Sequence, residues 1–148
     1  MSNSRKERGF TLLELMITIA IISILVVVAT PLYMSYSMRA KIGGELLQIS
    51  PLKNLVVEHY MINGEWGTSN QMVGGKAPES YGGRYVQSVS VSDTPTDGSL
   101  KITYNIKELP TLIGENTLVF TPDESSGNVQ WVCQGGSLNE RYLPPQCS

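Results

Sequence analysis

A long apolar run near the amino terminus constrains this chain more than any other feature. From Leu15 to Met38, 24 consecutive residues carry no charged side chain, and the run is bounded by Glu14 and Arg39. At about 1.5 Å per residue, a helix of this length spans roughly 36 Å, more than the hydrocarbon core of a bilayer at about 30 Å. The chain is therefore predicted to pass through a membrane-bound state.

The residues before the run indicate its orientation. The segment MSNSRKERG carries three basic residues against one acid. Basic flanks keep their end of a membrane helix in the cytoplasm, so the rest of the chain is expected outside it. A secretory signal has an apolar core of about 7–15 residues followed by a small-residue cleavage site. This run is longer and lacks such a site, so it is expected to be retained.

The junction GFTLLEL at the start of the run resembles that of a type IV prepilin. In that family a short basic leader ends in Gly, and the next residue begins the mature chain. The resemblance implies cleavage after Gly9 by a cytoplasmic-side prepilin peptidase and N-methylation of Phe10. A plain signal anchor is the alternative, but it does not explain Glu14, since an acid deep in a membrane costs about 2.5 kcal/mol or more.

Glu14 is expected to act in assembly and not in catalysis. If subunits pack side by side with an axial offset, its carboxylate meets the cationic α-amino group at Phe10 of a neighbour. A buried pair adds little net stability, but a lone buried charge is costly, so such a pair sets the register of packing. The resemblance implies a homopolymer built on this contact.

The chain divides by composition into a leader, a membrane segment and one small head. Without its first nine residues the chain has 139 residues and a net charge of −4, which argues against general affinity for nucleic acid. The predicted parts are a leader (1–9), a transmembrane and assembly half-helix (10–38) and a globular head (39–148). Within the head we expect an amphipathic helix (39–62), a Gly-rich surface loop (63–83), an antiparallel sheet (84–134) and a disulfide-bounded loop (133–147).

The helix is predicted to run from Phe10 to about Met61 with three interruptions. Pro31 should kink it, Gly43-Gly44 should weaken it, and Pro51 should kink or break it. Ser23 can bond the carbonyl one turn back, as serine often does in apolar helices. The second half carries an apolar stripe formed by Ile49, Leu52, Leu55, Val56 and Tyr60. Lys53 and Glu58 lie off this stripe, and His59 lies at its margin.

Alternating segments separated by turns predict the sheet. The predicted strands are Arg84–Ser92, Leu100–Ile106, Thr117–Thr121 and Asn128–Cys133. The second strand places Leu100, Ile102, Tyr104 and Ile106 on one face. The expected fold class is α+β, a long N-terminal helix covering a roughly four-stranded antiparallel meander.

The last third also resembles type IVa pilins, where a strand, a Pro-containing turn and a W-x-C strand recur. Trp131 and Cys133 stand in that W-x-C, and RYLPPQC is similar to the final loop of the family. A Cys133–Cys147 disulfide would enclose 13 residues and stabilise the fold by about 3 kcal/mol. An extracytoplasmic location allows the bond. The alternatives are a metal pair, for which further Cys and His ligands are lacking, and a redox couple, for which the C-x-x-C spacing is lacking. Some type IVa pilins ending in Ser carry a glycan there, so Ser148 is a candidate glycosylation site.

An enzymatic function finds little support in the sequence. There is one histidine, no carboxylate pair beside a recognisable nucleophile, and no complete P-loop around GGK at Gly74–Lys76. We predict no enzyme activity, no cofactor and no metal site.

The function implied by the resemblance is a structural subunit of a type IV pilus for adhesion and twitching motility. Its expected partners are copies of itself, the prepilin peptidase and the inner-membrane assembly machinery. The precursor is expected in the inner membrane, and the assembled filament is expected on the cell surface. The sequence leaves two alternatives for the disulfide-bounded loop: it binds a host receptor, or it is a passive surface. The alternatives are a minor or competence pilin that takes up DNA, and a type II secretion pseudopilin.

Features of the sequence distinguish a pilus subunit from both alternatives. DNA capture requires clustered cations. The cations of the head are dispersed in sequence, so direct DNA binding is not indicated. They are Lys76, Arg84, Lys101, Lys107 and Arg141. Major pseudopilins usually lack the C-terminal cystine and carry an acidic calcium site near the end. Here Glu140 is the only acid after Glu124.

Overall fold

The computed structural model describes residues 9–92, 97–105, 107–114, 116–125 and 127–147. The chain divides into two units, one ending at Ser35 and the other beginning at Tyr36. Its regular elements are α1 (Leu12–Gly44), α2 (Ser50–Asn63), β1 (Val86–Val91), β2 (Leu100–Tyr104), β3 (Thr117–Asp123) and β4 (Gln130–Gln134). The predicted α+β class is confirmed.

The predicted long helix is present in two parts joined by a short 3-10 turn. α1 passes through Pro31 and ends at Gly44, and the turn Leu46–Ile49 leads into α2. Pro51 lies in the first turn of α2, where its missing N–H has no helical partner to lose. The interruptions expected at Gly43-Gly44 and Pro51 are therefore confirmed, whereas a kink at Pro31 stays a prediction. α2 stops at Gly64, whose φ of 75° is a conformation that favours glycine.

The sheet is an antiparallel meander in the order β1-β2-β3-β4, as predicted. Ile102 pairs with Leu118, and Phe120 pairs with Cys133. The second strand is shorter than predicted because the chain turns after Tyr104, where the Leu109 N–H donates to the Asn105 carbonyl at 3.0 Å. The predicted strand position Ile106 lies outside the described residues.

The core lies between the helices and one face of the sheet. The apolar stripe is largely confirmed, since Ile49, Leu52 and Val56 are buried. The opposing sheet face contributes Val89, Leu100, Ile102, Tyr104 and Leu118. The helix side extends back to Ile42, whose carbonyl accepts a hydrogen bond from the Tyr104 hydroxyl at 3.0 Å.

Lys53, which the sequence places off the apolar stripe, contacts aromatic rings of the sheet. Its ammonium lies 3.6 Å from the centroid of the Phe120 ring and 5.5 Å from that of Trp131. The aliphatic stem is long enough to lie along the apolar surface while the charge rests on the aromatic faces. Partial burial lowers the pKa of Lys53.

A carboxylate joins the end of α1 to the beginning of β1. Glu45 accepts hydrogen bonds from the backbone N–H groups of Arg84, Tyr85 and Val86 at 2.8–3.2 Å. Donors converging on a charged oxygen make stronger hydrogen bonds than neutral pairs. Glu45 therefore fixes where the sheet starts relative to the helix that covers it.

The predicted surface loop 63–83 has buried anchors of its own. Trp66 is buried and stacks on Tyr60, with ring centroids 4.0 Å apart. The buried Asn70 amide donates to the Val89 carbonyl and accepts from the Val91 N–H, both at 2.8 Å. Asn70 thus pairs with the free edge of β1 as a neighbouring strand would, which protects that edge.

Candidate functional site

The first unit presents a helix whose apolar side chains are exposed. Thirteen large apolar side chains between Leu12 and Val28 are exposed to solvent. The helical stretch Leu12–Asn63 contains an 18-residue window with a mean hydropathy of 2.8, and none of that window is buried. Such a surface is typical of a helix that is surrounded by lipid or by other apolar helices.

Four hydroxyl side chains of this segment are hydrogen-bonded within the helix. The hydroxyls of Thr18, Ser23 and Thr30 each donate to the carbonyl four residues earlier, at 2.7 Å. Ser35 donates to the Pro31 carbonyl at 3.1 Å. Because these four hydroxyls have partners on their own helix, they remain paired if the segment enters an apolar medium.

Glu14 lies in the first turn of α1. Its backbone N–H donates to the Thr11 hydroxyl at 3.2 Å, so Thr11 caps the helix three residues earlier. An acid in the first turn also complements the helix dipole. Within the described residues the Glu14 carboxylate forms no ion pair.

The predicted processing junction lies immediately before this turn. Gly9 and Phe10 are exposed and belong to no helix or strand. Residues 1–8 of the predicted leader (1–9) lie outside the described residues. An exposed, non-helical peptide bond is accessible to a protease, which is compatible with cleavage after Gly9.

The predicted disulfide is present at the other end of the chain. Cys133 of β4 is bonded to Cys147 of the 3-10 turn Pro145–Cys147. The enclosed segment lies against the end of α1, since Arg39 Nε donates to the Arg141 carbonyl at 2.9 Å. The predicted glycosylation site Ser148 lies outside the described residues.

The other candidates from the sequence are distributed over the head. His59 is half-buried, and its Nδ1 lies 3.3 Å from Asn63 Nδ2. Of the cations considered for DNA capture, Arg84 pairs with Glu108 at 3.4 Å. No cluster of three or more His, Cys, Asp or Glu side chains suited to a metal ion occurs in the described part of the chain.

Two protein-family models match the chain. The first, described as a pilin of bacterial filaments, matches residues 38–148. The second is the prokaryotic N-terminal methylation motif and matches residues 4–30. Together the two matches cover the chain from residue 4 onward except for residues 31–37.

Individual relatives agree with these matches. The type IV major pilin protein PilE of Neisseria gonorrhoeae is 35% identical over 160 residues, covering 95% of this chain and 93% of its own. A fimbrial protein of Neisseria meningitidis is 36% identical, covering 86% of this chain and 72% of its own. The type IV major fimbrial protein FimA of Dichelobacter nodosus is 26% identical over 95% of this chain and 96% of its own.

A solved structure matches the fold. A type IV pilin of Pseudomonas aeruginosa has a TM-score of 0.54 and 19% sequence identity, covering 75% of this chain and 97% of that one. At that identity the likeness concerns the fold alone.

Proposed function

Because this chain belongs to the pilin family of bacterial filament proteins, we propose that it is the major subunit of a type IV pilus used for adhesion and twitching motility. The family implies polymerisation into filaments. Relatives covering nearly the whole chain carry the name of type IV major pilin or major fimbrial protein, which favours a major subunit over a minor pilin or pseudopilin.

The observation that carries the proposal is the exposed apolar surface of α1. Burying one large apolar side chain contributes about 1.5–3 kcal/mol, so thirteen of them strongly favour an apolar environment. In the free subunit the bilayer supplies that environment. In a filament the same segments of neighbouring copies supply it, so that the helices form the core and the heads form the outer wall.

Processing prepares the charge pair of the assembly. We propose that prepilin peptidase cleaves after Gly9 and that the new α-amino group at Phe10 is methylated. That cation meets Glu14 of a neighbouring copy as the helices pack, with the inner-membrane machinery supplying the subunits. Support comes from the methylation-motif match over this region and from the position of Glu14 in the first turn of α1, close to Phe10.

The disulfide-bounded loop 133–147 is the part of the head that we propose for contact with a host surface. Its charged residues are Glu140 and Arg141, both exposed, so contacts would be mainly polar and uncharged. DNA uptake has less support, because the cations of the head are dispersed in sequence and one of them, Arg84, is paired with an acid.

The role of Glu14 can be tested by replacing it with Ala. Glu14→Ala should permit cleavage and methylation while abolishing filaments, because the Phe10 amine would then be buried without a partner. The measurement is the amount of subunit in sheared surface material and in the membrane, with Glu140→Ala as a control that keeps filaments. Abundant normal filaments from Glu14→Ala would contradict the charge-pair proposal.

Cleavage is tested separately at Gly9. Replacing Gly9 with a bulky residue such as Val should leave uncleaved precursor in the membrane, detected by intact mass. Mature chain beginning at Phe10 at normal levels in this variant would argue against processing at this junction.

A further inference from the structure

The first charged residue after the apolar run is bound to the head. Arg39 follows the uncharged run Leu15–Met38, and its Nε donates a hydrogen bond to the Arg141 carbonyl at 2.9 Å. Both arginine side chains are exposed. A guanidinium is strongly disfavoured in the hydrocarbon of a bilayer. When α1 spans a membrane, the edge of the hydrocarbon on the side of the head therefore lies at or before Arg39.

Two tyrosines indicate where that edge lies. Tyr33 is 73% exposed and Tyr36 is 75% exposed, and they lie three residues apart on α1. Exposed Tyr and Trp side chains of membrane helices concentrate at the level of the lipid headgroups. The headgroup layer on each side of the hydrocarbon is about 5–7 Å thick, which corresponds to about four residues of helix. A layer that begins near Tyr36 therefore includes Arg39 and the groups around it.

A second part of the head lies beside the end of the run. The Thr111 hydroxyl donates to Met38 Sδ at 3.9 Å, so the 3-10 turn Pro110–Leu112 lies at the level of the last uncharged residue. Leu112 is buried in the core, and Ile113 follows it with 75% of its surface exposed. An anchored turn thus presents a large apolar side chain at the depth expected for the headgroups.

We propose that this face of the head contacts the membrane surface while the subunit is free, with Ile113 among the lipid headgroups and the guanidinium groups of Arg39 and Arg141 against lipid phosphates. The inference rests on the proposed function, in which the bilayer surrounds α1 before assembly. The bilayer is the occupant because α1 joins the head at this face and carries its exposed apolar surface up to it. The contact would fix the depth of the free subunit before it enters a filament.

Depth, and not net charge, selects this partner. The β2–β3 connection and the loop 133–147 carry Lys107 and Arg141, but they also carry Glu108, Glu115 and Glu140. Strong attraction to anionic lipid is therefore not expected, since that attraction requires clustered cations. Arginine binds the phosphate of a zwitterionic phospholipid as well as that of an anionic one. The contact should therefore be similar on both kinds of membrane.

The far end of the head offers a matched reference position. β3 begins at Thr117, soon after Ile113, and just beyond its other end Glu124 accepts a hydrogen bond from Tyr60 at 2.8 Å. A strand of seven residues spans about 20 Å. Ile62 lies two residues after Tyr60 in α2 and is 74% exposed, almost the same as Ile113. A probe at Ile62 therefore has the same exposure but lies well away from the proposed contact.

Depth-dependent fluorescence quenching tests the contact. The full chain is placed in phosphatidylcholine vesicles as I113C, I62C or Y33C, each labelled at the introduced cysteine without reduction of the Cys133–Cys147 disulfide. I113C should lose most of its fluorescence to lipid that carries a nitroxide on the headgroup, whereas I62C should lose little. Y33C reports whether α1 is inserted. Adding phosphatidylglycerol should change the quenching of I113C little.

The role of the phosphate contact is tested with R141Q/I113C. This change keeps the backbone carbonyl that binds Arg39 and removes only the guanidinium, so quenching at position 113 should weaken. The matched control is K101Q/I113C, because Lys101 is an exposed cation on β2, outside the proposed contact, and its replacement should leave the quenching unchanged. Equal quenching in R141Q/I113C and I113C would overturn the phosphate contact of Arg141.

Quenching of I113C and Y33C without quenching of I62C would support the contact. Quenching of Y33C alone would overturn it and leave the pilus function intact. Equal quenching of I113C and I62C, or quenching of I113C only with phosphatidylglycerol, would overturn depth as its basis. Absence of quenching at Y33C would place α1 outside the bilayer, so the inference and the membrane stage of the proposed function would fail together, while the amount of chain in sheared filaments tests the pilus function separately.

Discussion

Tyr104 shows how one buried hydroxyl completes the end of a helix. The last carbonyls of α1 have no helical partners, and the Tyr104 hydroxyl donates to that of Ile42. Burial, followed by the charge of Glu45, raises the pKa of Tyr104 well above its ordinary value near 10. The folded chain therefore retains this proton at a pH where the unfolded chain loses it.

This gives a pH-dependent prediction for Tyr104→Phe. At neutral pH the variant should be less stable by about 1–3 kcal/mol, because a buried carbonyl loses its donor. Above about pH 10 the unfolded state of the parent binds fewer protons than the native state, so its stability falls as pH rises. Tyr104→Phe should show a shallower fall, measured by thermal unfolding of the detergent-solubilised chain, with Tyr142→Phe as the control. An unchanged slope would contradict the assignment.

Gly98 is constrained both by its backbone and by its neighbour. It has a φ of 59°, and a Cβ at this position would overlap the indole of Trp66. Gly98→Ala should therefore cost about 2–4 kcal/mol, combining the backbone penalty with overpacking. Gly64→Ala is the matched control, since Gly64 has a φ of 75° and open space around its Cβ position. Equal losses of melting temperature in the two variants would show that contact with Trp66 is unimportant.

The residues that the sequence did not identify act across long separations in the chain. Glu45 was not singled out because its partners are about 40 positions away, and a pattern of apolar residues carries no information on them. Asn70 looked like a loop residue, although it covers the edge of β1. Lys53 lies off the apolar stripe, and its contact with the Phe120 ring depends on a strand far away in the chain, which the spacing of the helix does not indicate.

At the scale of elements, the joint between α1 and β1 depends on one carboxylate. Glu45→Gln should lower the free energy of unfolding by about 2 kcal/mol or more, because an amide has a single acceptor oxygen and presents its own N–H groups to the backbone donors. Thermal unfolding measures the change. Glu79→Gln, an exposed acid on a 3-10 turn, should change stability by less than about 0.5 kcal/mol. Similar losses in both variants would contradict the special role of Glu45.

The elements themselves were largely predictable, but their ends were not. The run after Glu14 determined α1, since helix is the spanning structure that satisfies its own backbone. Alternation determined the strands, as Leu100, Ile102 and Tyr104 do face the core. β2 ends at Tyr104 because the Asn105 carbonyl accepts a hydrogen bond from the Leu109 N–H and the chain turns there. The alternation of apolar and polar residues does not indicate this turn. In the site, the disulfide was predictable from two cysteines. The hydrogen bonds of Asn70 to β1 required knowledge of how the loop 63–83 folds against the sheet.

At the scale of the whole molecule, each unit has a separate physical requirement. The segment up to Ser35 needs an apolar environment that it cannot supply for itself. The unit from Tyr36 onward has its own core and a disulfide that closes its last segment. In our account, filament assembly satisfies the first requirement and leaves the second unit as a stable outer wall.

The most direct test of this account is the intact mass and abundance of the chain in filaments sheared from the cell surface. We predict one dominant species that begins at methylated Phe10, retains the apolar segment and carries the Cys133–Cys147 disulfide, with any additional mass indicating modification such as a glycan at Ser148. Absence of the chain from sheared filaments, with mature protein confined to the cell envelope, would contradict its role as a major pilus subunit.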